Sequence, residues 1–338
     1  MSNLLIGVLG ALMASNQPAA LNNLVSQTTG VSVAAEDTNN PVEQELEKIE
    51  QQDDDAAAEV DGWIKENQKF ATDGAGIPNA ELNRRIRERF DKTKKAYEDF
   101  IQRHPDYAEG RIAYASFLND LGDEDGSYQQ LLKARELDPK IPAVWNNLAN
   151  YYGENGPVTN AFACYEKAIQ LDPTEPIYYE NFGTTVYLFR KDVKEYYHLN
   201  EQQCFDKALL LYSNATRLDP TNFILASNVA MSYYGIKPLR TNDAFLSWSN
   251  ALKLARDETE REGVYIHFAR LDGATGRFAE GKKTLDEVTN SMYAELKRRV
   301  ARSINEKEHP ELLTNGPPLG PPLPVPHGKT NEPQAAAP

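Results

Sequence analysis

The sequence predicts an all-α protein built as a solenoid of antiparallel helix pairs, and three observations carry that prediction. Pro105, Pro139 and Pro173 stand 34 residues apart, each ending a helix-like run. A fixed period of that length marks stacked supersecondary units. Two of these stops read Leu137-Asp138-Pro139 and Leu171-Asp172-Pro173, and a fourth, Leu218-Asp219-Pro220, arrives 47 residues after Pro173, so one unit carries 13 extra residues. Within the clearest unit, Trp145, Leu148, Ala149 and Tyr152 recur at i, i+3, i+4 and i+7. That spacing places all four on one helical face.

The elements follow in chain order. Residues 1–35 are an apolar segment and linker. Leu4 to Met13 is an apolar run of ten, too short to cross a bilayer as a helix and about the length of a secretory signal core. No Lys or Arg precedes it, and Val33-Ala34-Ala35 lies too far downstream for cleavage. Export, an amphipathic contact with membrane or partner through residues 4–25, and a frayed end all stay open, with the cytoplasm slightly favoured. Residues 36–77 form an acidic helical cap and loop. Glu36 to Asp61 holds eleven acids against Lys48 alone. Val42, Leu46 and Ile49, then Val60, Trp63, Ile64 and Phe70, predict two short helices bridged by Gln51 to Ala58, and the turn-forming stretch from Thr72 to Gly76 ends them. Residues 78–107 read as a half repeat with Phe90, Tyr97 and Phe100. Its basic residues, from Arg84 to Lys95, suit a solvated face, an acidic partner or the acidic segment in cis.

Residues 108–290 are the array. After the helix holding Trp145, Gly153 and Gly156 break the run, and Ala161, Tyr165 and Ala168 mark a second helix with small residues where the first approaches. Tyr114, Ala115, Leu118, Ser127, Leu131 and Ala134 make the preceding unit. Tyr179, Phe182, Gly183 and Val186, then Ala208, Tyr212 and Ala215, make the following one, with the insertion at 188–203 between its helices. Val229, Ala230 and Tyr233, then Ala244, Trp248 and Ala251, make the next. A degenerate fifth holds Tyr265, Phe268, Ala269, Phe278, Leu285 and Val288, with Asp272 where an aromatic is expected. Residues 291–308 read as a C-terminal capping helix. Residues 309–338 are a disordered Pro-rich tail, in which Gly316 to Pro326 excludes helix and sheet and suits either docking in an aromatic groove or an inert spacer.

The pattern W-x2-L-A-x2-Y, then A-x3-Y-x2-A, then L-D-P resembles the tetratricopeptide repeat, with Ala149 in place of the usual glycine. The resemblance covers about residues 80 to 290. It implies a right-handed solenoid whose first helices line a concave groove that holds an extended peptide or partner helix. Beside the packing stripe of the first helices stand Asn146, Asn147 and Asn150, then Glu180, Asn181, Thr184 and Tyr187, then Ser227, Asn228, Met231 and Tyr234. Asn147, Asn181 and Asn228 occupy equivalent places. A row of carboxamides can hydrogen-bond a peptide backbone without reading its side chains. The same residues can instead bond neighbouring helices. The groove lacks the basic set that family members use to clamp a terminal carboxylate, which disfavours that ligand class.

The insertion predicts two lengthened helices, an N-cap at Asn200, and a protruding hairpin carrying Arg190, Tyr196, Tyr197 and His198. Such a tip suits partner contact or packing on the next unit. Chemistry has little footing. The net charge of −14 makes nucleic acid an improbable partner. Cys164 and Cys204 form no C-x-x-C or Cys/His cluster, so no metal or other cofactor is expected. No G-x-S-x-G, H-E-x-x-H, Walker or G-x-G-x-x-G motif occurs. The stretch Glu260, Arg261, Glu262, Tyr265, His267, Arg270 and Asp272 is the nearest to an acid/base constellation, and an ordinary salt-bridged face accounts for it better. The reading is a non-enzymatic scaffold that binds another protein and takes no small-molecule substrate. The alternative is an exported or membrane-associated accessory factor that docks through its N-terminal segment, with the array as a spacer.

Overall fold

The computed structural model describes residues 40–72 and 76–311; the apolar N-terminal segment and residues 312–338 of the Pro-rich tail lie outside the described residues. All regular structure among the described residues is helical, in fourteen α-helices and two short 3-10 turns. The chain divides into two compact units, one up to Arg256 and one from Asp257. The first contains α1 (Pro41–Thr72), α2 (Asn79–Arg103), α3 (Ala108–Asp120), α4 (Glu124–Leu137), α5 (Pro142–Asn155), α6 (Val158–Leu171), α7 (Pro176–Leu188), α8 (Arg190–Tyr197), α9 (Glu201–Leu218), α10 (Phe223–Ser232) and α11 (Thr241–Leu254). The second contains α12 (Glu258–Ala274), α13 (Phe278–Asp286) and α14 (Ala294–Glu308).

The repeat arithmetic has a physical basis in the turns. Asp138 and Asp172 each accept the backbone N–H two residues on, at 2.8 Å in both cases, which closes the Asp-Pro turn. The residue six after each proline then donates to that proline's carbonyl: Arg111 Nη2 to Pro105 at 2.8 Å, Trp145 Nε1 to Pro139 at 2.8 Å and Tyr179 Oη to Pro173 at 3.2 Å. Each clamp fixes where the next first helix starts. Helix pairs α3/α4, α5/α6, α7/α9 and α10/α11 follow. No pair closes its own core: Ile112, Leu131, Val144, Leu148, Phe162, Tyr165, Phe182, Val186 and Tyr212 form one continuous apolar body across three pairs. Close approach is set by small residues. A Cβ at Gly183 would lie 3.0 Å from the Tyr212 ring, so only glycine fits there without displacing it.

Three expectations require correction. Residues 41–72 form one helix of 32 residues rather than two short ones. The supposed bridge continues the buried stripe Leu46, Ile49, Ala56 and Val60, with Asp53 standing at the missing position, where it accepts from Tyr97 Oη at 3.5 Å. A carboxylate on an apolar stripe reads as a break when the partner hydroxyl is 44 residues away. Helix α5 also runs through Gly153 and ends only at Gly156, whose φ of 69° terminates it. The insertion, finally, lengthens only the second neighbour: α9 has 18 residues against 14 in α4 and in α6, while α7 has 13. Helix α7 stops at Leu188 and a separate helix, α8, folds back on α6.

The acidic and basic segments do meet in cis. Arg89 pairs with Glu59 at 2.7 Å, and Glu45 receives both Arg103 and His104, the latter at 3.0 Å. The remaining basic residues near the start of α2 keep a solvated face, with Arg84 and Arg85 on Glu81 at 2.8 and 3.2 Å. In the second unit, Ile266, Ala269, Leu285, Val288, Val300 and Ile304 form the core. Asp272 takes the aromatic's place by pairing with Arg277 at 2.7 Å while its own carbonyl accepts the Arg277 N–H.

Candidate peptide-binding surface

The first helices α5, α7 and α10 carry the candidate residues, and the structure sorts these into two groups. Asn146 is completely buried and Asn181 nearly so. Asn181 Nδ2 donates to Asn146 Oδ1 at 3.1 Å, and Asn146 Nδ2 donates to Asn147 Oδ1 at 3.1 Å. The carboxamides of two successive units therefore satisfy each other in the interior, as a buried amide must be satisfied. Asn146 is not a groove residue. Its burial follows from the register: it faces the next unit, one position off the surface row.

The second group stays near the surface. Asn147, Asn150, Glu180, Thr184, Ser227, Asn228, Met231, Tyr187 and Tyr234 are half-buried. Asn150 Oδ1 accepts from Tyr165 Oη at 2.7 Å, Thr184 Oγ1 and Tyr212 Oη lie 3.0 Å apart, and Asn228 Nδ2 donates to Glu180 Oε1 at 2.9 Å. Burial holds the Glu180 carboxyl above the usual carboxylate range, and the Asn228 bond partly offsets this. Tyr187 packs away from the row, against the Phe205 ring at 6.1 Å and beneath the Arg190 guanidinium at 5.3 Å. Tyr234 sits 6.5 Å from the Trp248 ring.

A shallow, open cleft with an enclosed volume of about 30 Å³ lies on this face. Asn150, Gly153 and Glu154 of α5, Tyr165 of α6, and Asn181, Thr184, Thr185 and Leu188 of α7 line it, together with Phe189. It brings three predicted residues together, Asn150, Asn181 and Thr184. Sequence reasoning missed Glu154, Thr185 and Phe189. Glu154 stands four residues after Asn150 on one face, a spacing that points to it.

The inserted residues are anchored rather than free. Val193 is fully buried, the rings of Tyr196 and Tyr197 lie 5.3 and 5.7 Å from Phe162, and Tyr197 Oη donates to Glu166 Oε1 at 2.6 Å. Lys207 Nζ stands 4.0 Å over the Tyr197 ring. Arg190 pairs with Glu201 at 3.2 Å, and His198, at φ 55°, ends α8 in the left-handed region. Asn200 caps α9 as expected, accepting the Gln203 N–H at 3.0 Å while Gln203 Oε1 accepts its own N–H. Of the four expected contact residues, Arg190, Tyr196, Tyr197 and His198, Tyr196 and His198 remain exposed.

The two thiols, Glu262 and His267 are all buried. Cys164 and Cys204 are buried, and burial pushes the Cys164 thiol up to about 11. Glu262 accepts Thr289 Oγ1 at 2.8 Å and the Asn290 N–H at 2.7 Å, and Arg261 pairs with Glu258 at 2.9 Å. The Glu262 contacts tie α12 to the turn before α14. His267 is buried in the same unit, and burial beside Arg270 lowers its pKa to about 3. Among the described residues no group of His, Cys, Asp and Glu has metal-ligand geometry, and no helix is long and apolar enough to cross a membrane.

Residues 142–175, the span of α5 and α6 with its closing Asp-Pro turn, match the tetratricopeptide repeat model. These residues carry a tetratricopeptide repeat within the helical array. A curated relative, tetratricopeptide repeat protein 5 of Bos taurus, is 23% identical over 190 residues. The match takes in 55% of this chain and 43% of the relative, so this chain spans less than half of that protein's length. Two solved structures are similar to this chain at lower identity. One, from work on pilF of Pseudomonas aeruginosa, covers 73% of this chain and 99% of its own at 15% identity with a TM-score of 0.47. The other, YrrB, described as a TPR protein with an unusual peptide-binding site, covers 61% and 99% at 13% identity with a TM-score of 0.44.

Proposed function

We propose that this protein is a non-catalytic scaffold that holds an extended segment of another protein along α5, α7 and α10. The observation that carries the reading is the cleft on that face, where half-buried polar side chains from successive first helices converge around a concavity. Asn147, Asn150, Thr184, Asn228 and Met231 offer the donors, acceptors and soft contact that an extended backbone requires, while the Ser227 hydroxyl is buried beneath them. The buried Asn146 and Asn181 act beneath them by keeping successive first helices in register. Tyr196 and His198 at the end of α8 offer a second, smaller contact.

The test is photo-crosslinking in the native cell. A benzophenone side chain is placed at Asn147, Thr184 or Met231 on the first-helix face, and at Leu210 or Leu246 on the second helices, which are 64% and 61% exposed. Under this reading the first three positions capture one contiguous segment of one partner and the last two do not. Capture only from Leu210 and Leu246 would sink it.

A further inference from the structure

The cleft has a chemical bias that the carboxamide row does not explain. Helices α5, α7 and α10 carry no lysine or arginine, while α5 contributes Glu154 and α7 contributes Glu180. Glu180 is engaged by Asn228. Glu154 lines the cleft and has no ion-pair or hydrogen-bond partner among the described residues. A half-buried carboxylate without a partner is costly unless a ligand supplies the opposite charge. Around it the cleft presents acceptors, Asn150 Oδ1 among them, and an apolar wall of Leu188 and Phe189.

We infer that the cleft takes a lysine or arginine side chain of an extended protein segment, with Glu154 as its counter-charge and Leu188 and Phe189 against its aliphatic stem. This rests on the first-helix face being the binding surface. The long basic side chains are the ones that combine a methylene stem with a charged head of donors only. An acidic or terminal-carboxylate ligand would instead meet Glu154 as a like charge. Burial, then the neighbouring Glu124 carboxylate, already hold the Glu154 carboxyl above the usual range, so a bound cation would draw it back down.

The experiment selects binders to the full chain from a surface-displayed library of random 12-residue peptides. The selected peptides are then measured, each with its basic residue intact or replaced by norleucine, against the native chain and Glu154→Gln. The substitution is nearly isosteric and removes no hydrogen bond, and equal melting temperatures establish that the variant is folded. The inference predicts enrichment of one Lys or Arg at a fixed position. It also predicts about a tenfold loss of affinity in Glu154→Gln that disappears for the norleucine peptide. Binding peptides without such enrichment, or with equal affinity for both proteins, would overturn the inference and leave the groove reading standing. If no peptide binds at all, the groove reading fails and takes this inference with it.

Discussion

At the scale of single residues, the buried Asn146–Asn181 pair makes the sharpest distinction between structure and binding. Replacing Asn146 by Ala strands Asn181 Nδ2 in the interior, and the expected cost is about 1 to 3 kcal/mol, read by chemical denaturation. Asn147→Ala should cost a similar amount, because it removes the acceptor of the completely buried Asn146 Nδ2. His267 gives a second prediction, with a definite sign. Its folded pKa of about 3 lies below the ordinary 6.5, so unfolding takes up a proton between those values. The stability of the second unit is therefore full above about pH 6.5 and is lost as pH falls toward 3. Amide exchange in α12–α14 should accelerate over that window, and His267→Gln should flatten the dependence. The candidate residues were legible from the sequence as a face but not as individuals. Asn146 and Asn181 satisfy each other across two units, and a pairing between residues 35 apart leaves no local signal.

At the scale of elements, α1 is pH-sensitive in the opposite direction. Asp53 and Glu50 sit half-buried on its docking face, and burial raises each to about 7. The Asp53 shift is reinforced by Asp120 and Asp54, and the Glu50 shift by Asp54 and Glu47. Their folded pKa values exceed the unfolded ones, so the docked helix binds protons more tightly than the released one. Protection of the 41–72 amides should rise as pH falls from 8 to 5, and Asp53→Asn should raise it at pH 8. Gly183 tests the fit of α7 on α9. A methyl group there meets the Tyr212 ring at 3.0 Å, and that ring is itself buried, so Gly183→Ala should destabilise by about 1 to 3 kcal/mol in thermal denaturation. Element boundaries were legible where Asp-Pro turns mark them. They were hidden at α1, where an acid stands in an apolar stripe, and at α8, where α7 ends at Phe189 with no Gly or Pro to announce the break.

At the scale of the molecule, the repeat period was the most informative feature because it has a mechanical cause. A proline carbonyl and a donor six residues on set the start of three successive first helices. Each helix pair depends on its neighbours for core, which keeps the first-helix row of α5, α7 and α10 aligned as one surface. The scaffold reading rests on that alignment. Amide hydrogen exchange of the full chain, with and without the segment captured by photo-crosslinking, tests it most directly. The account predicts added protection concentrated in α5, α7 and α10. Protection confined to α6, α9 and α11, or to the chain ends, would contradict it.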